Sequence, residues 1–369
     1  MAYSSTTPTN VKGKIINKPT AMALAIAGTP NYYRRPQLMY VSSSSRTSII
    51  IPANTQVNIN DVGYISTSDT TLSCSSLTRA GKDVYVYACA PSDTSSTEPT
   101  FVLSLNSTIP SGYTATNSRK IGGFHCLCVS VGTISGHALS GYVAGDILPL
   151  SIWDLLHRPV SSPEGMVWVE GINLWVDIYL TGLNGGNLVS QYGATVADGY
   201  SSTPYHAEKF IEELGKIGKR LPWRSEFMVF AKGSNEGTNI YGSYDYGTAG
   251  GHKDTSNRRM ISNYGIEDCC GFMWGWVDDT AEAMSTSYSS GDYYMSGYSW
   301  NNTSVYNSSV DSQSYGSCFG LLRRFVVGAS WGSGSDCGSR TLACDDFGSA
   351  RYASVGCFGA SEPRVNDSF

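Results

Sequence analysis

The chain has 369 residues, 15% of them charged, with 25 Lys and Arg against 30 Asp and Glu and a net charge of −5. Its basic residues are scattered, so it lacks the clustered cationic face that sequence-independent binding to a phosphate backbone needs, and nucleic acid is not an expected partner. The length exceeds what one hydrophobic core usually serves, and 40 Gly and 24 Tyr set among short apolar runs predict a β-rich, multidomain protein with long polar loops.

Residues 1–37 show no clear period and are expected to form an N-terminal attachment or assembly segment. Within them Lys12, Lys14 and Lys18 precede an apolar run from Thr20 to Gly28. The run is short, late and made of small side chains, so cleavage as a secretion signal is not expected. No stretch of the chain is long enough for a membrane span, and membrane insertion is not expected.

From residue 38 to 145 short strands are predicted at Leu38 to Val41, Thr47 to Ile51, Val84 to Ala88, Phe101 to Leu105 and Phe124 to Val131, separated by polar turns. This spacing predicts a sandwich-like domain. The composition shifts at Asp146 to Pro149, so a second domain is placed at 146–369. Its residues 165–182 alternate well enough for two strands around Gly171. A helix follows, with Thr203 as its cap, Pro204 in its first turn, and Phe210, Ile211, Leu214 and Ile217 on one apolar face ending at Gly218. A second short helix starts near Pro222 and carries Phe227 and Phe230 inward before Gly233. Residues 283–318 hold seven Tyr and Trp in Ser, Gly, Asn and Asp. That is the composition of binding loops, and equally of a solvated insertion without a partner.

The ten cysteines show no metal-ligand spacing and are read as free buried thiols, with Cys337 and Cys344 the first pair to suspect of a bridge. His125 reads as a satisfied structural histidine. The other histidines fall near no nucleophile and acid that would make a hydrolytic site, so no catalytic residue is assigned.

Four blocks in order resemble the formylglycine-generating-enzyme branch of the C-type lectin fold: GMVWVEG at 165–171, GKRLPWRSEF at 218–227, GFMWGWVDD at 271–279, and RRFVVGASW at 323–331 leading to VGCFGA at 355–360. The resemblance implies an α+β C-terminal lectin-like domain behind a β-rich, sandwich-like N-terminal region. It also implies that Trp223, Phe227, Trp274 and Trp276 are buried scaffold. Copper-dependent oxidases of this branch carry two cysteines separated by four residues after the strand matching Gly328 to Trp331. Here Cys337 and Cys344 are separated by six. Glu362, Pro363 and Arg364, with Asn366 and Asp367 directly after, do not make the calcium cage of sugar-binding lectins. No enzyme activity, cofactor or metal is therefore expected.

The segment from Trp331 to Gly359 resembles more narrowly the variable proteins of diversity-generating retroelements, bacteriophage tropism determinants among them, through Trp331, the Gly338-Ser339-Arg340 triplet and the closing glycines. In such proteins randomised template adenines turn an Asn codon into any residue except Lys, Glu, Gln, Met or Trp. Those five types make up 42 of 369 residues, so the 28 residues 332–359 should hold about three, and they hold none.

The resemblance places variable, ligand-binding positions within 332–354 at Gly332, Ser333, Asp336, Ala343, Asp345, Asp346, Ala350, Tyr352 and Ser354, with Thr341 and Gly348 as further candidates. Trp331, Arg340, Leu342, Val355 and Phe358 are expected to be scaffold. Residues 111–125 resemble N-terminal regions of phage fibre proteins of the same group. The function so implied is a receptor-binding protein of a phage tail fibre, carried on the virion. Its expected partner is a protein or glycan receptor on the host surface, and a homotrimer is expected for axial symmetry and avidity. The alternatives are a variable protein displayed on a bacterial surface and, from another class, a copper-dependent oxidase acting through Cys337 or Cys344.

Overall fold

The computed structural model describes residues 38–93, 95–242, 247–282, 298–299, 317–318 and 322–364. The expected attachment segment 1–37 and most of the Tyr-rich stretch 283–318 lie outside the described residues. Contacts divide the chain into two units, one comprising residues up to 127, 144–158 and 364 onward, the other 128–143 and 159–363. The chain thus passes between them several times, where the sequence suggests one boundary near residue 146.

The first unit contains β1 (Tyr40–Ser42), β2 (Ser45–Ile51), β3 (Gln56–Ile59), β4 (Val62–Ile65), β5 (Thr70–Ser73), β6 (Asp83–Cys89), β7 (Thr100–Ser104), β8 (Ser118–His125) and β9 (Trp153–Asp154). They form one sheet in the order β1-β2-β5, another in the order β7-β6-β8-β9, and the β3-β4 hairpin. Met39, Ile49, Ile51, Val84, Val86, Ile121 and Phe124 are fully buried in one cluster of this unit, the alternation of β2 and β6 supplying much of it. The strand predicted at Phe124 to Val131 lies earlier, at Ser118–His125. His125 is buried, and its Nδ1 sits 3.0 Å from Asp83 Oδ1.

The second unit opens with the hairpin of β10 (Met166–Val169) and β11 (Leu174–Asp177), which turns around Gly171. Next come β12 (Gly182–Asn184), β13 (Asn187–Val189) and β14 (Thr195–Val196), then helices α1 (Ala207–Lys216) and α2 (Arg224–Phe230). Helix α1 begins later than predicted: its N-cap is His206, so Thr203 does not cap it, and Ile217 is 41% exposed instead of closing the apolar face. The buried Lys209 pairs with Glu213 one turn on, and the exposed Lys216 with Glu212 one turn back, bracing α1 along its length. In α2 the Glu226 carboxylate accepts the Trp223 backbone N–H at 2.8 Å, so an N-terminal amide is satisfied without a hydroxyl cap.

The remaining strands are β15 (Trp274–Glu282), β16 (Tyr298–Ser299), β17 (Ser317–Cys318), β18 (Leu322–Gly328), β19 (Gly338–Phe347), β20 (Val355–Cys357) and β21 (Ala360–Ser361). Four of them make the principal sheet, in the order β19-β18-β15-β20, with β20 parallel to β15 and the other pairings antiparallel. Phe210 and Leu214 of α1 pack with Leu221, Trp276, Val326, Val355 and Cys357 into one core cluster. Among the expected tryptophans Trp276 is 1% exposed and Trp274 packs half-buried against the same cluster, but Trp223 is 45% exposed. The reading of Trp223 as buried scaffold is therefore corrected: the residue before α2 turns to solvent while Phe227, one turn on, takes the core position.

Candidate functional site

Segment 332–354 comprises a 3-10 turn at Gly334–Asp336, strand β19, and the loop that leads into β20. β19 is an edge strand, and its pairing with β18 is irregular. Val327 faces Leu342 while the next residue, Gly328, faces Gly338, so Ser339, Arg340 and Thr341 bulge out with no partner opposite. A second bulge sets Cys344 and Asp345 against Phe325 alone. Bulges break the simple alternation of a strand and re-aim its side chains.

Residues outside 332–354 hold this segment largely by its main chain. The Trp331 N–H donates to the Phe272 carbonyl at 2.9 Å, and the Asn239 side-chain amide donates to the Trp331 carbonyl. The Gly237 N–H reaches the Cys337 carbonyl at 2.7 Å, and the Trp274 N–H the Ser354 carbonyl at 2.9 Å. Glu236 accepts both the Ser339 N–H, at 3.2 Å, and its hydroxyl, at 2.6 Å. The Gly199 N–H donates to the Tyr352 carbonyl at 3.0 Å. Apart from the Ser339 hydroxyl, these bonds address peptide atoms, which any residue supplies, so the grip does not depend on the side chain displayed.

Two glycines sit at close approaches, and at Gly199 the approach is to backbone, so a side chain there would force the main chain to shift. A Cβ on Gly199 would lie 2.3 Å from the Tyr352 nitrogen, and one on Gly338 would lie 2.3 Å from a Glu236 carboxylate oxygen. Sequence reasoning did not single out Gly199, Glu236, Gly237 or Asn239. The two glycines carried a turn signal; Glu236 and Asn239 carried none, because their partners are about a hundred residues away.

The candidate positions divide by their surroundings. Gly332, Asp336 and Tyr352 are exposed, and Ser333, Thr341, Asp346, Ala350 and Ser354 are half-exposed. The Thr341 hydroxyl donates to the Asp336 carbonyl and closes the turn. The side chain of Asp345 lies outside the described residues. Two positions do not fit display. Ala343 is half-buried, and it packs against the core cluster that contains Trp276 and Val326, its partner on β18. Gly348 is buried, and a Cβ there would lie 2.5 Å from Glu208 Oε1, whose carboxylate is engaged by Arg324 at 2.9 Å. Of the expected scaffold, Trp331, Leu342 and Trp274 are half-buried, whereas Val355, Phe358 and Trp276 are buried. Arg340 is exposed on the bulge and forms no hydrogen bond or ion pair with the described residues, so packing does not explain it.

Cys337 and Cys344 are both free; the first is buried, the second exposed. Burial pushes the Cys337 thiol up to about 11, away from the thiolate that nucleophilic or metal-binding chemistry uses. Among the described residues no group of three His, Cys, Asp or Glu is placed to hold a metal ion, and no helix is long and apolar enough to cross a membrane.

Among the described residues the chain is mostly β with two α-helices, and it presents a bulged edge segment held largely by its main chain, the build of a protein that offers side chains to a partner. The comparisons give that class a family. Residues 39–154 match the family described as the second domain of Mtd. The chain is 32% identical over 288 residues to the tail fiber receptor-binding protein of Bordetella phage BPP-1, covering 69% of this chain and 72% of that one. Among solved structures it is similar to the Major Tropism Determinant U1 variant, with a TM-score of 0.69 and 28% identity over 89% of this chain and 84% of that one. For the P3c variant the TM-score is 0.68 and the identity 26%, over the same shares of the two chains. The chain belongs to the tropism-determinant family.

Proposed function

We propose that this chain is the receptor-binding protein of a phage tail fibre, carried on the virion, and that segment 332–354 recognises a protein or glycan on the host bacterial surface. The observation that carries this reading is the main-chain fastening of that segment: Phe272, Asn239, Gly237, Glu236, Gly199 and Trp274 hold its peptide atoms while Asp336 and Tyr352 point to solvent. A close-packed core registers the loss or gain of one methylene. A segment fixed by its backbone does not, which is the condition for exchanging contact residues without refolding the domain. The absence of Lys, Glu, Gln, Met and Trp from residues 332–359 supports the same reading, and no catalytic role is proposed.

In this reading residues 1–37 serve attachment or assembly, 38–145 form a β-rich, sandwich-like spacer, and 146–369 form the lectin-like binding domain. The chain acts as a homotrimer. Purified protein added to host cells should block infection by the parent phage, and the double variant Asp336→Ala/Tyr352→Ala should lose the block while keeping its melting temperature. An unimpaired block by the double variant overturns the proposed site.

A further inference from the structure

Gly199, whose N–H donates to the Tyr352 carbonyl, is followed by an aromatic residue, Tyr200, that lies far outside segment 332–354. Residues 198–201 form a tight turn in which the Asp198 carboxylate accepts the Tyr200 N–H at 2.8 Å, and the Asp198 N–H donates to the Ser201 hydroxyl at 3.0 Å. The Asp198 carbonyl also accepts the Tyr205 N–H at 2.8 Å, which ties the turn to the approach of α1. Gly199 then brings the turn against the backbone of Arg351 and Tyr352, close enough that a Cβ would collide with main-chain atoms of both. With its neighbours fixed in this way, Tyr200 is 74% exposed, and Tyr352, on the loop that Gly199 touches, is 41% exposed. Arg351, between the two contacts, is exposed and forms no hydrogen bond or ion pair with the described residues. It is not among the positions expected to vary.

A tyrosine this exposed contributes little to its own unit by burial, and a guanidinium without a hydrogen-bond or ion-pair partner among the described residues contributes little to it by pairing. Both are residue types that carry binding energy at interfaces, Tyr through a large rigid contact face and Arg through a planar fork of donors. We infer that Tyr200 and Arg351 are constant contact residues of the receptor site, flanking the changeable Tyr352, so that a fixed part of the affinity survives when 352 changes. The inference rests on the proposed function of segment 332–354. The Gly199 bond reaches the carbonyl at 352, not its side chain, so the geometry of the pair persists whichever residue stands there.

The test uses phage particles assembled with full-length variant chains and measures adsorption to cells of the strain on which the parent phage is propagated, alongside the melting temperature of each purified chain. Tyr200→Ala and Arg351→Ala should each slow adsorption tenfold or more at an unchanged melting temperature, with Lys216→Ala, on the far end of α1, as the neutral control. In a phage retargeted through a different residue at 352, Tyr200→Ala should again slow adsorption. If Tyr352→Ala abolishes adsorption while Tyr200→Ala and Arg351→Ala adsorb as the parent does, the constant contacts are refuted and the variable site stands. If Tyr352→Ala also adsorbs normally, the proposed site itself falls, and this inference with it.

Discussion

The Lys219 ammonium lies 2.6 Å from Asp177 Oδ1, with both side chains buried, and Asp177 Oδ2 accepts the Gly359 N–H at 3.0 Å. One carboxylate therefore joins β11, Lys219 just past the end of α1, and the link between β20 and β21. Burial pushes the Asp177 carboxyl up, and Lys219 together with the Gly359 amide holds it down. Lys219→Met strands a buried charge and should cost roughly 3 to 5 kcal/mol, whereas Lys219→Met/Asp177→Leu should recover much of that loss. Urea denaturation of the three chains checks the order; a double variant less stable than the single would show that the pair is not acting as one unit.

Display and scaffold positions should separate in stability measurements. Tyr352→Ala and Asp336→Ala are expected to stay within about 0.5 kcal/mol of the parent. Trp276→Ala removes a side chain that is 1% exposed in the core cluster and should cost roughly 3 to 5 kcal/mol. Ala343→Asp should also destabilise the unit, since that side chain faces the core. A melting curve for Ala343→Asp that overlays the parent would place 343 back among the display positions.

Gly199→Ala tests the fastening at its tightest point. Its Cβ meets backbone, not a flexible side-chain end, so the turn or the 350–352 loop must shift, at a cost of about 1 to 3 kcal/mol. Glu236→Ala removes the hydrogen bonds to Ser339. It should lower stability by about 1 kcal/mol and weaken receptor binding by more than that, because the bulge at 339–341 loses its anchor. Equal effects on stability and binding would remove Glu236 from the positioning set.

Acid should weaken the second unit through His206. This residue is 2% exposed, and burial, opposed by a hydrogen bond to the Gly348 backbone, pushes its pKa down to about 4. In the unfolded chain the ring titrates near 6.5. The stabilisation is therefore complete above that value and falls away as the pH drops towards 4, by on the order of 3 kcal/mol. His137, also pushed down by burial, adds in the same direction. His252 opposes them: burial pulls its pKa down, but Asp268 raises it further. Melting scans from pH 7 to pH 4 should show a shallower decline for His206→Asn, and an identical slope would exclude His206 as the source.

Much of this arrangement is legible in the sequence, where local pattern decides structure. The hairpin around Gly171 and the inward Phe227 and Phe230 of α2 follow from alternation and helical spacing. The β3-β4 hairpin was missed although its signal is present: Asn60 and Asp61 both take positive φ, 48° and 63°, in the two-residue turn such residues favour. The orientation of Ala343 was not legible, because it depends on two bulges that count residues across strands and not along them. Trp223 was misplaced for a related reason. A residue at the cap of a helix has no fixed face, and apolarity alone does not turn it inward.

The position of β19 at the rim of its sheet bears on which sequences the segment can sample. A rim strand offers unpaired peptide groups to any other chain, and under the proposed function exchange of residues along it would at times write the short apolar, β-forming runs that nucleate fibrils. The bulges at Ser339 to Thr341 and at Cys344 and Asp345 interrupt that row of groups whatever side chains are present. On the proposed function, sequence variants of the segment would then share a barrier to self-association that is set by the bulged backbone and not by the displayed side chains.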